Sequence, residues 1–176
     1  LDVRARVMAE VSQLVVPFSA DDLTANTPLL EACILETIRL YPPVGHLYAR
    51  AKRDVTISGV DIPQGANVAA NTWGSYRDAR LFPHPDRFDP DRFLPPRNEH
   101  LGGRFDPFGV GPVETGHACP GREMAILTCK TVVARTLLQT EWQLALPAWD
   151  DTRYRERYGV PNFEDGMLVT GFRPRT

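Results

Sequence analysis

Helical stretches with an apolar face alternate along this chain with short apolar runs broken by turns. A short helix is expected from Leu1 to about Val15, ending at Pro17, followed by a polar connector from Ala20 to Thr27. Thr27 is a suitable N-cap with Pro28 at the first helical position. The helix it starts runs to about Leu40, where Tyr41-Pro42-Pro43 stops it, because proline lacks the donor and restricts the residue before it. Between Leu47 and Ala70, short β-like runs alternate with turns: Asp54 to Ile57, then Ser58-Gly59, then Val60 to Gly65, then Ala66 to Ala69. Residues 77–107 are rich in proline and aspartate with little periodicity, and so long an irregular segment is normally functional or held by specific contacts. A further helix is expected from near Cys119 to about Gln139, with Ile126, Val133 and Leu137 on one face. Strands at Glu141 to Leu146 and Met167 to Phe172 close the pattern around a polar excursion.

At 176 residues the chain has the size of one ordinary domain. Its net charge of −2 gives no electrostatic reason to expect nucleic acid or an anionic membrane as partner. No apolar run approaches the roughly 20 residues of a membrane-spanning helix, and no signal peptide is recognisable. The three cysteines, Cys33, Cys119 and Cys129, form no Cys-x-x-Cys pair, which suits a reducing compartment and a cytoplasmic location. Cys33 and Cys129 fall at helical positions and read as buried packing residues.

The candidate chemistry lies in Phe108-Gly109-Val110-Gly111-Pro112-Val113-Glu114-Thr115-Gly116-His117-Ala118-Cys119-Pro120-Gly121. A thiolate needs donors and positive dipole around it, and a glycine loop turning into a helix at the cysteine supplies both. Gly111, Gly116 and Gly121 leave room for a flat ligand. A lone cysteine suits haem, in which the porphyrin provides four nitrogens and the protein one axial atom; zinc would want more ligands than His117-Ala118-Cys119 offers. Taken alone, the same loop also reads as a buried structural cysteine in a glycine-rich turn. Upstream, Glu36 and Arg39 share a helix face, which alone reads as a solvated pair. Phe88-Asp89-Pro90-Asp91-Arg92-Phe93 ends the irregular segment.

Together, in this order and at roughly these separations, the three motifs resemble the cytochrome P-450 superfamily: its Glu-x-x-Arg helix, its Phe-x-Pro-x-Arg meander and its cysteine haem loop. The resemblance covers nearly all of the chain and implies the carboxy-terminal half of that fold, mainly α with small antiparallel β-sheets (α+β). It implies haem b as cofactor and Cys119 as axial iron ligand and catalytic centre, with Glu36, Arg39 and Arg92 as a structural ion network behind the loop. It places Gly111, Gly121 and Ala125 against the haem and Phe108 beside the thiolate. His117 stands where the family has a propionate-binding residue, against the alternative of a loop histidine bonded to backbone. Arg50 resembles a second propionate contact, against that of a solvated basic run. His46, Leu47 and Tyr48 stand where the family turns side chains toward the distal pocket.

The loop is longer than the usual one, with five residues between Gly111 and His117. That feature, with Asn71 to Phe82 and Val160 to Gly166, resembles the branch of bacterial fatty-acid peroxygenases that uses hydrogen peroxide. The family's chains are more than twice as long. The expectation is therefore a single haem-thiolate domain over 1–176 without the amino-terminal half and central distal helix, and without the residues that handle oxygen and substrate. The expected activity is peroxygenase- or monooxygenase-like oxidation of an apolar small organic molecule or fatty acid, with hydrogen peroxide or a redox partner. Self-association or a second chain would cover the distal haem face. A redox-neutral isomerase or cyclase, a non-catalytic haem-binding module and an apo structural remnant are the competing readings.

Overall fold

The computed structural model of the chain describes residues 2–144 and 169–175. Helix α1 (Val3–Val11) is capped by Asp2, whose side chain accepts from the Arg4 N–H. Helix α2 (Ala20–Asn26) occupies what the sequence marks as a connector. The correction has a local cause: Ser19 and Asp22 form a reciprocal capping box, and Leu23 alone anchors the helix in the core. Helix α3 (Pro28–Leu40) has the expected bounds but not the expected cap. Thr27 makes no side-chain capping bond; its hydroxyl donates back to the Leu23 carbonyl. Both carboxylate oxygens of Glu10 instead accept from the Leu29 and Leu30 N–H groups, each at 2.8 Å.

Strands β1 (His46–Arg50) and β4 (Asn67–Asn71) pair antiparallel, with Tyr48 opposite Ala69. Strands β2 (Val55–Ile57) and β3 (Val60–Ile62) form a hairpin whose turn residues Ser58 and Gly59 both have positive φ, the geometry of a two-residue hairpin connection. After a short helix, α4 (Thr72–Ser75), the chain stays irregular apart from a 3-10 turn at Pro90–Phe93. Helix α5 (Arg122–Gln139) leads into β5 (Thr140–Leu144), which pairs antiparallel with β6 (Val169–Pro174). No helix among the described residues is long and apolar enough to cross a membrane.

Helix α3 divides the interior. One side meets Val7 and Val11 of α1, Leu23 of α2, and Ala134 and Leu137 of α5 through Leu29 and Leu30. The other side, through Ala32, meets a cluster of Tyr76, Phe82, Phe93 and Phe105. In that cluster Phe105 stands 4.9 Å from Tyr76 and 5.1 Å from Phe93, in tilted and edge-on arrangements. The buried row of α5 is Ile126, Lys130, Ala134 and Leu137. Val133, assigned to that row from the sequence, is exposed, and so is Cys129, which the sequence marks as a buried packing residue. Spacings of four, four and three bring Lys130 inward instead.

Candidate functional site

A buried charge network joins α3 to the irregular segment. Glu36 and Arg39 are one helical turn apart on α3, and Arg39 Nε and Nη2 donate to Glu36 Oε2 and Oε1 at 2.7 and 2.9 Å. Arg92 Nε reaches Glu36 Oε1 at 3.1 Å, and the Asp89 N–H reaches the same oxygen at 2.8 Å. Glu36, Arg39 and Arg92 are fully buried. Two guanidinium groups there need two carboxylates, and the second is Glu99, which accepts from Arg92 Nη1 at 2.7 Å. Arg39 also donates to the carbonyls of Tyr76 and Pro85, at 2.6 and 2.7 Å. The network therefore pins the proline-rich segment to α3, alongside the local turn bonds and the aromatic cluster that also hold it. Glu99 is a residue that sequence reasoning missed, for it belongs to no periodic pattern.

From that segment the chain runs through Phe105 to the loop. Its two arms pair like a narrow hairpin: the Cys119 N–H donates to the Phe108 carbonyl at 2.7 Å, and the His117 N–H to that of Val110 at 3.0 Å. The five residues between Gly111 and His117 close on themselves, with the Gly116 N–H donating to the Pro112 carbonyl at 2.7 Å. Gly109 has φ +78°, and a Cβ there would stand 2.1 Å from the His117 carbonyl oxygen, so the position admits glycine alone. Gly116 is as tightly confined, its missing Cβ 2.7 Å from the Pro112 carbonyl oxygen.

Helix α5 opens at Gly121, which stands at the N-cap without a side-chain capping bond, and the Arg122 N–H points back to the Cys119 carbonyl at 3.4 Å. A Cβ on Gly121 would sit 3.7 Å from Cys119 Sγ, so its absence leaves one side of the thiol open. Cys119 is exposed, and so are His117 on the loop and Ala125 on the first turns of α5. Phe108 is half-buried, with the Arg122 guanidinium over its ring at 5.8 Å. Arg50, at the end of β1, is exposed and its Nε donates to the Gly65 carbonyl at 2.9 Å. His46 and Tyr48 stack on one face of β1, their rings 6.1 Å apart, while Leu47 faces the other way. In the Asn71 to Phe82 stretch, Thr72, Tyr76 and Phe82 are buried. The Val160 to Gly166 motif lies outside the described residues.

One exposed sulfur on a rigid loop, with no cluster of three His, Cys, Asp or Glu side chains around it among the described residues, suits a group that brings its own equatorial ligands. The donor set fits haem and does not fit a protein-caged metal ion.

Comparison with known proteins agrees with this geometry. The cytochrome P450 family model matches residues 1–152. Ferruginol synthase of Salvia fruticosa is 32% identical over 160 residues, which cover 88% of this chain and 32% of that protein. The 4-hydroxyphenylacetaldehyde oxime monooxygenase of Sorghum bicolor is 35% identical over 144 residues, 80% of this chain and 26% of its own. Among solved structures, retinoic-acid-bound cyanobacterial CYP120A1 superposes with a TM-score of 0.75 at 30% identity, covering 84% of this chain and 34% of that one. The chain thus spans about a quarter to a third of the length of these proteins.

Proposed function

The chain belongs to the cytochrome P450 family, and from that premise we propose that it is the haem-thiolate portion of an enzyme oxidising an apolar small organic molecule. The observation that carries this reading is the exposed Cys119, at a helix N-terminus, on a hairpin whose geometry Gly109 and Gly116 enforce. In this proposal Cys119 would hold haem b through its sulfur. Gly111, Gly121 and Ala125 let the macrocycle approach, and Phe108 screens the sulfur from water. His117 and Arg50 receive the propionates. When bound, the group would supply the oxidising chemistry, with Cys119 as its protein donor.

The substrate class follows from the company the chain keeps: relatives whose names denote a ferruginol synthase and an oxime monooxygenase, and a solved structure holding retinoic acid. We take the oxidant to be hydrogen peroxide, because the loop insertion at residues 112–116 and the Gly-His-x-Cys-Pro-Gly run resemble the peroxygenase branch. The distal face, in this reading, is built by polypeptide other than these residues, and sedimentation of the haem-loaded protein tests it: a stable monomer active by itself would exclude that element.

The deciding experiment is the absorption spectrum of the reduced, haem-loaded protein under carbon monoxide, with Cys119→Ala beside it. A strongly red-shifted Soret band that the substitution abolishes is expected. No haem uptake, or a spectrum indifferent to the substitution, would overturn the reading. Long-chain fatty acid oxidation with peroxide, compared with a reductase system, then separates the peroxygenase from an ordinary monooxygenase.

A further inference from the structure

Lys130 is 1% exposed on the inward row of α5, between Ile126 and Ala134, and its Nζ donates to Glu31 Oε2 of α3 at 2.9 Å. An ammonium at that depth is a poor way to fill space. Desolvating it is costly, and its partner Glu31 keeps 40% of its side chain exposed, so solvent screens the pair and little stability is gained from it. What the pair offers that an apolar contact does not is direction. Apolar rows between two helices tolerate axial sliding; a single charged hydrogen bond between fixed turns does not.

The register fixed in this way has a defined consequence. Helix α5 begins at Arg122, whose N–H faces the Cys119 carbonyl, and roughly 12 Å of continuous helix separates that residue from Lys130. On the partner helix, Glu31 stands five residues before Glu36, the centre of the buried network. The loop is thus tied to the network twice: through Phe105 in the aromatic cluster on one arm, and through α5 and the Lys130–Glu31 bond on the other.

We propose that Lys130 is a positioning residue that, through Glu31, sets the axial register of α5 on α3 and so places Cys119 for ligation, the pair serving position rather than stability. Its consequence for ligation rests on the haem-thiolate reading above; the register itself does not.

The test compares the full chain with two double variants that leave no unpaired buried charge. Glu31→Leu with Lys130→Met removes the directional bond and keeps the volume; Glu31→Lys with Lys130→Glu reverses it. The apolar variant should melt at or above the parent temperature. In the haem-free protein its Cys119 amide should exchange roughly tenfold faster, since the Phe108–Cys119 pairing is loosened. Loaded with haem, it should lose most of the thiolate-type Soret band under carbon monoxide. The reversed pair should restore both readings. An apolar variant with unchanged Cys119 exchange, or one that fails to fold, would overturn the proposal in favour of an ordinary stabilising contact. A parent protein without a thiolate-type band would instead sink the haem reading, and the exchange comparison would still decide the register.

Discussion

Glu36 and Arg92 lie 56 positions apart in the chain, yet their side chains meet at 3.1 Å with neither exposed to solvent. Breaking such a pair strands a charge in the interior, which costs about 3–5 kcal/mol, a large share of a typical domain's stability of about 5–15 kcal/mol. Arg92→Gln is therefore expected to lower the unfolding midpoint in urea sharply. Arg92→Lys should not rescue it, because one ammonium cannot serve Glu36 and Glu99 from separate nitrogens. Urea titrations of the purified variants measure this, and an Arg92→Gln midpoint equal to that of the parent would refute the account.

Glu10 is a cap supplied from another helix. Its carboxylate satisfies two of the donors at the start of α3 and complements the positive end of that helix. Glu10→Ala should lower stability by about 1–2 kcal/mol. The loss should be accompanied by faster exchange of the Leu29 and Leu30 amides, measured by hydrogen–deuterium exchange. Unchanged exchange there would mean that the helix start is held by other contacts.

The three thiols are predicted to react unequally. Burial pushes the Cys33 thiol up to about 12, so it stays protonated and shielded at neutral pH. Cys119 and Cys129 are exposed. Iodoacetamide at pH 8 should label those two in the folded protein and Cys33 only after unfolding, as peptide mass spectrometry would show. Haem loading should then protect Cys119 while leaving Cys129 reactive. Labelling of Cys33 in the folded chain would contradict its burial.

Hydrogen bonds from Arg6 hold the Asp91 carboxyl below the usual carboxylate range. A depressed folded-state value stabilises the fold above the unfolded value of about 4, and that contribution disappears as pH falls through the folded value. Between pH 6 and pH 3 the parent should therefore lose more stability than Arg6→Gln, in which the pair is already absent. Both side chains are partly exposed, so the difference should not exceed ~1 kcal/mol. Parallel melting curves across that range decide it; identical slopes would show the pair to be idle.

Much of the fold follows from short-range rules. Pro28 and the Tyr41-Pro42-Pro43 stop bound α3 to the residue, and Ser58-Gly59 forms the β2–β3 turn. Helix α2 went unrecognised because its signal is a capping box without an apolar repeat. The cysteine loop is legible for a related reason. Glycines at Gly109 and Gly116 answer to backbone atoms within eight residues of themselves, so their necessity is written locally.

Local patterning marks most of the elements, α2 excepted, and the lone cysteine between a glycine loop and a helix. Tertiary structure alone decided which charges meet. Glu10 at the start of α3, Glu99 against Arg92 and Lys130 against Glu31 join positions that no periodicity relates, Lys130 and Glu31 being 99 residues apart. The physical reason is range. Caps, turns and helical faces are settled over about four residues by backbone geometry. A contact between distant groups exists only where packing has brought them together, and the residue type of either partner carries no record of the other.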